Sequence, residues 1–120
     1  MKGISTMKTK NTKTPAKIAT ERVFRCLCVR PPYAGQIVDG RKTEEYRSTA
    51  TRIRGRIGII ESGTGKIIGE AELYDCTKLD EWEYVWHVRN ARRYRQPRPY
   101  SHPFGAVIWV KVPEAANAEA

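Results

Sequence analysis

The chain has 120 residues, enough for one domain, and its 22 Lys and Arg against 13 Asp and Glu give a formal net charge of +9. This charge attracts polyanions, nucleic acid above all, and by itself specifies neither a sequence preference nor a reaction. No apolar run approaches the roughly 18 residues of a membrane span, and the N-terminus lacks the apolar stretch of a secretory signal, so we expect a cytoplasmic protein without a membrane partner.

Charge and apolar residues divide the chain into three regions. Residues 1–22 hold six Lys or Arg against one Glu and have little to bury, which predicts a flexible basic arm. Residues 23–112 carry the apolar pattern and a net charge of +6, and they predict the folded domain. Residues 113–120, rich in Glu and Ala, predict a loose C-terminal tail.

The first half of the domain predicts a strand, a helix and a second strand. Residues 23–29 are dense in strand formers, and the prolines at 31–32 end that strand. Residues 33–39 predict a helix of about two turns, because it starts behind proline and Gly40 stands at its C-cap. Residues 43–47 then predict an extended segment.

The second half predicts a hairpin, a longer helix and a closing strand. Residues 54–61 and 66–76 read as the two strands of the hairpin, joined by a glycine-rich turn. Residues 80–94 predict a helix, because apolar residues recur at helical spacing between an acidic start and an arginine-rich end. A proline-rich loop and a strand over 104–112 follow. The order predicts an α+β fold, a small barrel of about five to six strands with two or more flanking helices.

The cysteines and histidines do not form a recognisable metal site. Three cysteines are an odd set, which predicts reduced thiols rather than a disulfide framework. His87 and His102 are far apart, and no Cys/His spacing supports zinc. We therefore expect neither a metal nor another cofactor.

Charged residues concentrate just after the first predicted helix. Lys42, Glu45 and Arg47 follow the turn residue Gly40, and a Pro-Tyr pair ending at Tyr33 precedes them by about ten residues. A lone group of this kind is most often a salt bridge on a solvated strand. Together with the Pro-Tyr pair, however, the spacing resembles that of the ASCH domain family, small barrels related to the PUA RNA-binding modules.

The resemblance covers most of residues 24–112, and it extends to the hairpin and the closing strand. It implies a six-stranded PUA-like barrel with a cleft beside the first helix, lined by Lys42, Glu45 and Arg47. Family members are described broadly as predicted RNA-binding modules, and a few resemble hydrolases acting on RNA or on acylated cytidine nucleosides. The resemblance therefore implies RNA, or a nucleotide within it, as the ligand.

The hydrolase-like members suggest the alternative function. In those that resemble amidohydrolases, the proposed catalytic set is a lysine in a Gly-x-Lys-Thr motif, a threonine three residues later and a distant glutamate. Lys42 matches the lysine, and Glu45 stands where the threonine is expected. The alternative is thus a small ribonuclease or an N4-acetylcytidine amidohydrolase-like enzyme, with Lys42 as base or electrostatic catalyst and Glu45 in support.

Two residues flanking the motif predict further ligand contacts. Tyr33 starts the helix behind proline, where an aromatic ring either stacks on a base or plugs one end of the barrel. Arg30 ends the first strand, and it either holds a phosphate at the mouth of the cleft or remains a solvated charge.

Basic patches outside the motif predict backbone affinity. Arg54 belongs to an alternating arginine stripe, and Arg92, Arg93 and Arg95 are interleaved with tyrosines. Cations with interspersed rings suit single-stranded nucleic acid, and the family resemblance implies RNA rather than DNA. A protein partner is a third hypothesis, and the sequence leaves the oligomeric state open. The three tryptophans are predicted to lie in the core.

Overall fold

Strand-forming residues dominate the domain, which the computed structural model describes over residues 23–114. The helix, α1, spans Tyr33–Val38. The strands in chain order are β1 (Val23–Val29), β2 (Glu44–Arg47), β3 (Gly55–Glu61), β4 (Lys66–Lys78), β5 (Tyr84–Pro99) and β6 (Trp109–Pro113). The predicted first strand, the helix behind proline and the hairpin are thereby confirmed. The predicted basic arm and residues 115–120 of the predicted tail lie outside the described residues.

The strands form a single open sheet in the order β2-β5-β4-β3-β1-β6. β1 runs parallel to β3, and the other neighbours are antiparallel. Because β2 and β6 do not pair with each other, the sheet is not closed, and the predicted barrel is wrong. The expectation of two or more flanking helices is wrong as well, since α1 is the one helix among the described residues.

The helix predicted over residues 80–94 is in fact the tip of a long β-hairpin and the first part of its second strand, β5. β5 pairs with β4 through Cys76 opposite Trp86 and Thr77 opposite Val85, as suits its β-branched and aromatic composition. The acidic stretch that suggested a helix start forms the hairpin tip instead. There Trp82, predicted as core, is 79% exposed. Trp86 is buried, and its ring stacks on that of Trp109.

Two apolar clusters lie on the sheet. The first joins α1, through Ala34, Ile37 and Val38, to the strands beneath it. The helix packs this closely because Gly69 has no side chain: a Cβ there would lie 2.6 Å from Val38 Cγ1 and would also clash with the Arg92 carbonyl. The second cluster gathers residues of β1, β3, β4, β5 and β6, listed as Cys26, Cys28, Ile60, Ile67, Tyr94, Val110 and Val112.

No helix within residues 23–114 is long and apolar enough to cross a membrane. Within the same range, His, Cys, Asp and Glu side chains do not gather in threes where a metal ion would fit.

Candidate ligand-binding cleft

One cleft of about 720 Å³ opens where the end of β1, the start of α1 and strand β2 meet. The turn after β3 and the loop before β6 complete its walls. Its lining residues are Cys28, Arg30, Tyr33, Lys42, Glu45, Tyr46, Arg47, Ser62 and Val107. Five predicted site residues, those at positions 30, 33, 42, 45 and 47, are thus together in one cavity.

The chain between α1 and β2 sets the position of the charged group. Gly40, at φ +81°, adopts the left-handed conformation that lets the chain turn back after the helix. The amides of Arg41 and Lys42 then both donate to the Gln36 carbonyl, at 2.9 and 3.1 Å. Next, β2 pairs with β5, with Glu45 opposite Trp86. Lys42 is therefore fixed beside the helix and Glu45 on the strand.

Arg47 connects two strands that are not neighbours. Its Nε donates to Glu45 Oε2 at 2.9 Å, and its Nη2 donates to the Cys28 carbonyl at 2.7 Å. Its guanidinium also lies 5.6 Å from the centroid of the Trp86 ring. Three strands separate β2 from β1 in the sheet, so the sheet must curl to bring them within reach of one side chain.

Lys42 lies between two tyrosine rings. Its ammonium is 5.3 Å from the Tyr33 centroid and 5.7 Å from the Tyr46 centroid, within the range of cation-π attraction. Nζ donates to the Glu44 carbonyl and lies 3.6 Å from Glu45 Oε1. The side chains of Lys42 and Glu45 are only 19% and 11% exposed, whereas the tyrosines are about half exposed. The cleft therefore has a charged floor and aromatic walls.

Two further groups of the cleft favour the protonated form. Tyr46 donates a hydrogen bond to Glu44 Oε1 at 2.9 Å, and this bond to a carboxylate raises the pKa of the Tyr46 phenol. Burial raises the pKa of the Cys28 thiol, although the nearby Arg47 opposes the shift. At neutral pH neither group is a ready nucleophile.

The predicted basic patches lie outside the cleft. Arg92 pairs with Glu70 at 3.1 Å, and Arg93 pairs with Asp39 at 2.7 Å. Arg54 donates to the carbonyls of Thr51 and Ile53, and Arg95 is exposed on β5. The structure thus does not bring these arginines together with the cleft group.

Four lining residues were not predicted. The sequence predicts a reduced thiol at Cys28 and gives Tyr46 no role beyond an extended segment. It places Ser62 in the hairpin turn and Val107 in the closing strand. The parallel pairing of β1 with β3 would have pointed to Ser62, but the sequence holds no sign of that pairing.

The chain is similar to a known domain family and to solved structures. The profile of the ASCH domain matches residues 27–112. The crystal structure of ASCH from Zymomonas mobilis has a TM-score of 0.54 and 19% identity, and the match covers 62% of this chain and 72% of that one. A tyrosine-to-phenylalanine mutant of that protein has a TM-score of 0.54 and 19% identity over 62% and 74%. A serine-to-alanine mutant has a TM-score of 0.50 and 20% identity over 62% and 72%. At this identity the structures show the fold alone. No curated protein sequence matches the chain significantly.

Proposed function

This chain belongs to the ASCH domain family, and from that premise we propose that it binds RNA, or a nucleotide within RNA, in the cleft lined by Lys42, Glu45 and Arg47. The observation that carries the proposal is the position of the Lys42 ammonium, between two half-exposed tyrosine rings and beside the Glu45 carboxylate. An unstacked base can stack on an aromatic ring, and its edge can form hydrogen bonds to a cation and a carboxylate.

The aromatic walls supply the stacking surface. Tyr33 is 48% exposed and Tyr46 is 45% exposed, so each ring has a face available to a base. Any base can stack on an aromatic ring, and in single-stranded RNA the bases are free to do so. Tyr33 follows two prolines, whose fixed φ angles restrict the backbone that leads into the residue carrying the ring.

The charged floor supplies hydrogen bonds to a base edge. Lys42 is a donor, and Glu45 Oε1 is an acceptor to which the described residues donate no hydrogen bond. A base edge carries donors and acceptors side by side, so it can bond to both groups at once. Arg47 keeps the Glu45 carboxylate in place for this contact.

Net charge favours an anionic strand. Among the described residues, those that line the cleft include three cations, Arg30, Lys42 and Arg47, and one carboxylate, Glu45. Arg54, Arg92, Arg93 and Arg95 would add backbone contacts, and we expect them to add less than the cleft cations because they lie outside the cleft. We propose RNA rather than DNA as the ligand. We also propose that the protein acts in the cytoplasm, whose reducing conditions suit its three free thiols.

The test is a titration of the purified full chain with short single-stranded RNAs at two salt concentrations. Binding and strand integrity are followed in the same samples. We expect binding that weakens steeply with salt, and we expect it to be reduced at least about tenfold in the double variant Lys42→Ala, Arg47→Ala. Arg41→Ala is the matched control, because that side chain is adjacent in sequence and highly exposed and does not line the cleft.

Two outcomes would contradict the proposal. One is the absence of salt-dependent binding, and the other is equal affinity in the double variant and the wild type. Lys42→Gln is measured alongside, since it spares the Arg47 contacts and so separates ligand loss from misfolding. Loss of full-length RNA that disappears in Lys42→Ala would instead identify the hydrolase alternative, with Lys42 and Glu45 as its catalytic pair.

A further inference from the structure

The cleft contains a second polar pair that the motif does not include. β1 and β3 run parallel, with Val29 opposite Glu61 as their last paired residues. The Ser62 amide extends this pairing by donating to the Val29 carbonyl at 2.9 Å. Arg30 and Ser62 come directly after these two strands, and both line the cleft.

Arg30 differs from the other cations of the cleft in its contacts. Lys42 and Arg47 both donate hydrogen bonds to protein carbonyls and lie beside Glu45. The Arg30 side chain is exposed and forms no hydrogen bond, ion pair or ring contact within residues 23–114. Its five donor hydrogens are thus available to a ligand.

The backbone holds Arg30 at a fixed place beside the aromatic wall. Its carbonyl accepts a hydrogen bond from the Ala34 amide at 3.1 Å, which closes the turn that leads into α1. The two residues inside that turn that precede Tyr33 are prolines, and their rings restrict φ. Arg30 and Tyr33 both line the cleft, so a group bound at Arg30 shares that cavity with the ring of Tyr33.

We propose that Arg30 and Ser62 form a phosphate subsite, so that the ligand of the cleft is a nucleotide or a phosphodiester strand rather than a free nucleoside. This inference rests on the proposed function. A guanidinium binds two phosphate oxygens at once, and a serine hydroxyl donates to a third. A nucleotide carries its base and its phosphate on one sugar. Its base can therefore contact the tyrosine walls while its phosphate contacts Arg30 and Ser62 in the same cleft.

Calorimetric titration tests the subsite. The probes are the four ribonucleosides and their 5′- and 3′-monophosphates, and the proteins are the wild type, Arg30→Gln and Ser62→Ala. We expect at least one monophosphate to bind about tenfold tighter than its nucleoside. Arg30→Gln abolishes that preference and leaves the affinity for the nucleoside within about twofold, and Ser62→Ala weakens the monophosphate by about threefold. Arg52→Gln, an exposed arginine that does not line the cleft, is the control.

RNA is the second probe, and it decides the question where single nucleotides bind too weakly. Loss of one phosphate contact lowers the slope of log affinity against log salt by about 0.7 for a single strand. We expect this change in Arg30→Gln and none in Arg52→Gln. Equal binding of nucleoside and monophosphate, or an unchanged slope, overturns the subsite and leaves the proposed function standing. Failure of the wild type to bind RNA overturns the proposed function itself.

Discussion

Arg47 donates a hydrogen bond to the Cys28 carbonyl at 2.7 Å, although the strands that carry the two residues are separated by three others in the sheet. The same guanidinium binds Glu45 at 2.9 Å. A side chain, rather than a ladder of backbone hydrogen bonds, thus links β2 to β1. The cleft is the space that this contact leaves between the two strands.

Replacing Arg47 should destabilise the fold. In Arg47→Met the Glu45 carboxylate and the Cys28 carbonyl, both poorly exposed, lose their donor, and we expect a loss of about 2–4 kcal/mol in the free energy of unfolding. Urea denaturation measures it. Arg41→Met removes an exposed ion pair with Asp39 and should cost less than about 1 kcal/mol. Similar losses in both variants would refute the account.

The ring of Tyr33 should contribute directly to RNA affinity. Stacking on one base is worth about 1–3 kcal/mol, so we expect Tyr33→Leu to weaken binding by about tenfold or more and Tyr33→Phe to retain it. Fluorescence anisotropy with a labelled single strand measures both. Tyr74→Leu is the control, because Tyr74 is also exposed but lies outside the cleft. The prediction fails if Tyr33→Leu and Tyr74→Leu bind alike.

Stability should fall as the pH drops below about 4.5, in part through Glu70. Burial raises the pKa of Glu70, but hydrogen bonds from Arg56, Tyr94 and Arg92 together lower it below its ordinary value of 4.5. The unfolded chain then binds more protons in this range, so the stabilisation by Glu70 is full above pH 4.5 and is lost as the pH falls through the folded pKa.

The measurement is thermal unfolding between pH 3 and 7 for the wild type and Glu70→Gln. We expect a shallower decline below pH 4.5 in Glu70→Gln, because that variant no longer takes up the proton. Some slope remains, since hydrogen bonds from Arg93 also lower the pKa of Asp39. Glu81→Gln, at the exposed hairpin tip, is the control. An identical pH profile for Glu70→Gln and the wild type would disprove the role of Glu70.

The three cysteines should differ in reactivity. Burial raises the pKa of Cys26 to about 12 and also raises the pKa of Cys28, whereas Cys76 is half-buried. Because the thiolate is the reactive form, we expect one thiol to react readily with an aromatic disulfide reagent at pH 7.5 and all three to react in denaturant. Cys76→Ser should abolish the fast phase. Rapid labelling of Cys26 in the folded protein would contradict the prediction.

An added methyl group should lower stability at Gly69 and change it little at Gly35. In Gly69→Ala the new Cβ meets Val38 and a backbone carbonyl, and we expect a loss of about 1–3 kcal/mol. In Gly35→Ala it lies 3.2 Å from Nη2 of Arg93, the far end of a long side chain that can shift slightly, and the higher helix propensity of alanine offsets the contact. Urea denaturation of both variants provides the comparison. Equal losses of stability in the two variants would show that α1 does not pack tightly against β4 at Gly69.

The residues of the site that the sequence predicted are those close together in the chain. Arg30, Tyr33, Lys42, Glu45 and Arg47 lie within 18 residues of one another, so their spacing and the family resemblance were enough to group them. Ser62 and Val107 reach the cleft through the pairing of β1 with β3 and β6. Such pairing depends on the whole fold and leaves no local pattern.

The wrong helix has a specific cause. Trp82, Val85 and Trp86 stand at the spacing of one helical face, but Val85 and Trp86 are neighbours that point to opposite faces of a sheet and are both buried. β5 is an interior strand, where side chains on both faces are covered. Trp82 would face the core only if this segment were a helix, with Trp82 on the same face as Val85 and Trp86.

The pairing of β1 with β6 also bears on how the domain is completed during synthesis. β1 leaves the ribosome first, yet its outer edge pairs with residues 109–113, almost the last of the domain. Until those residues emerge, β1 presents an uncovered edge, and Val110 and Val112 are missing from the second apolar cluster. A nascent chain should therefore acquire a finished cleft only after residues 109–113 have emerged, and one truncated before residue 109 should depend on chaperones to avoid aggregation.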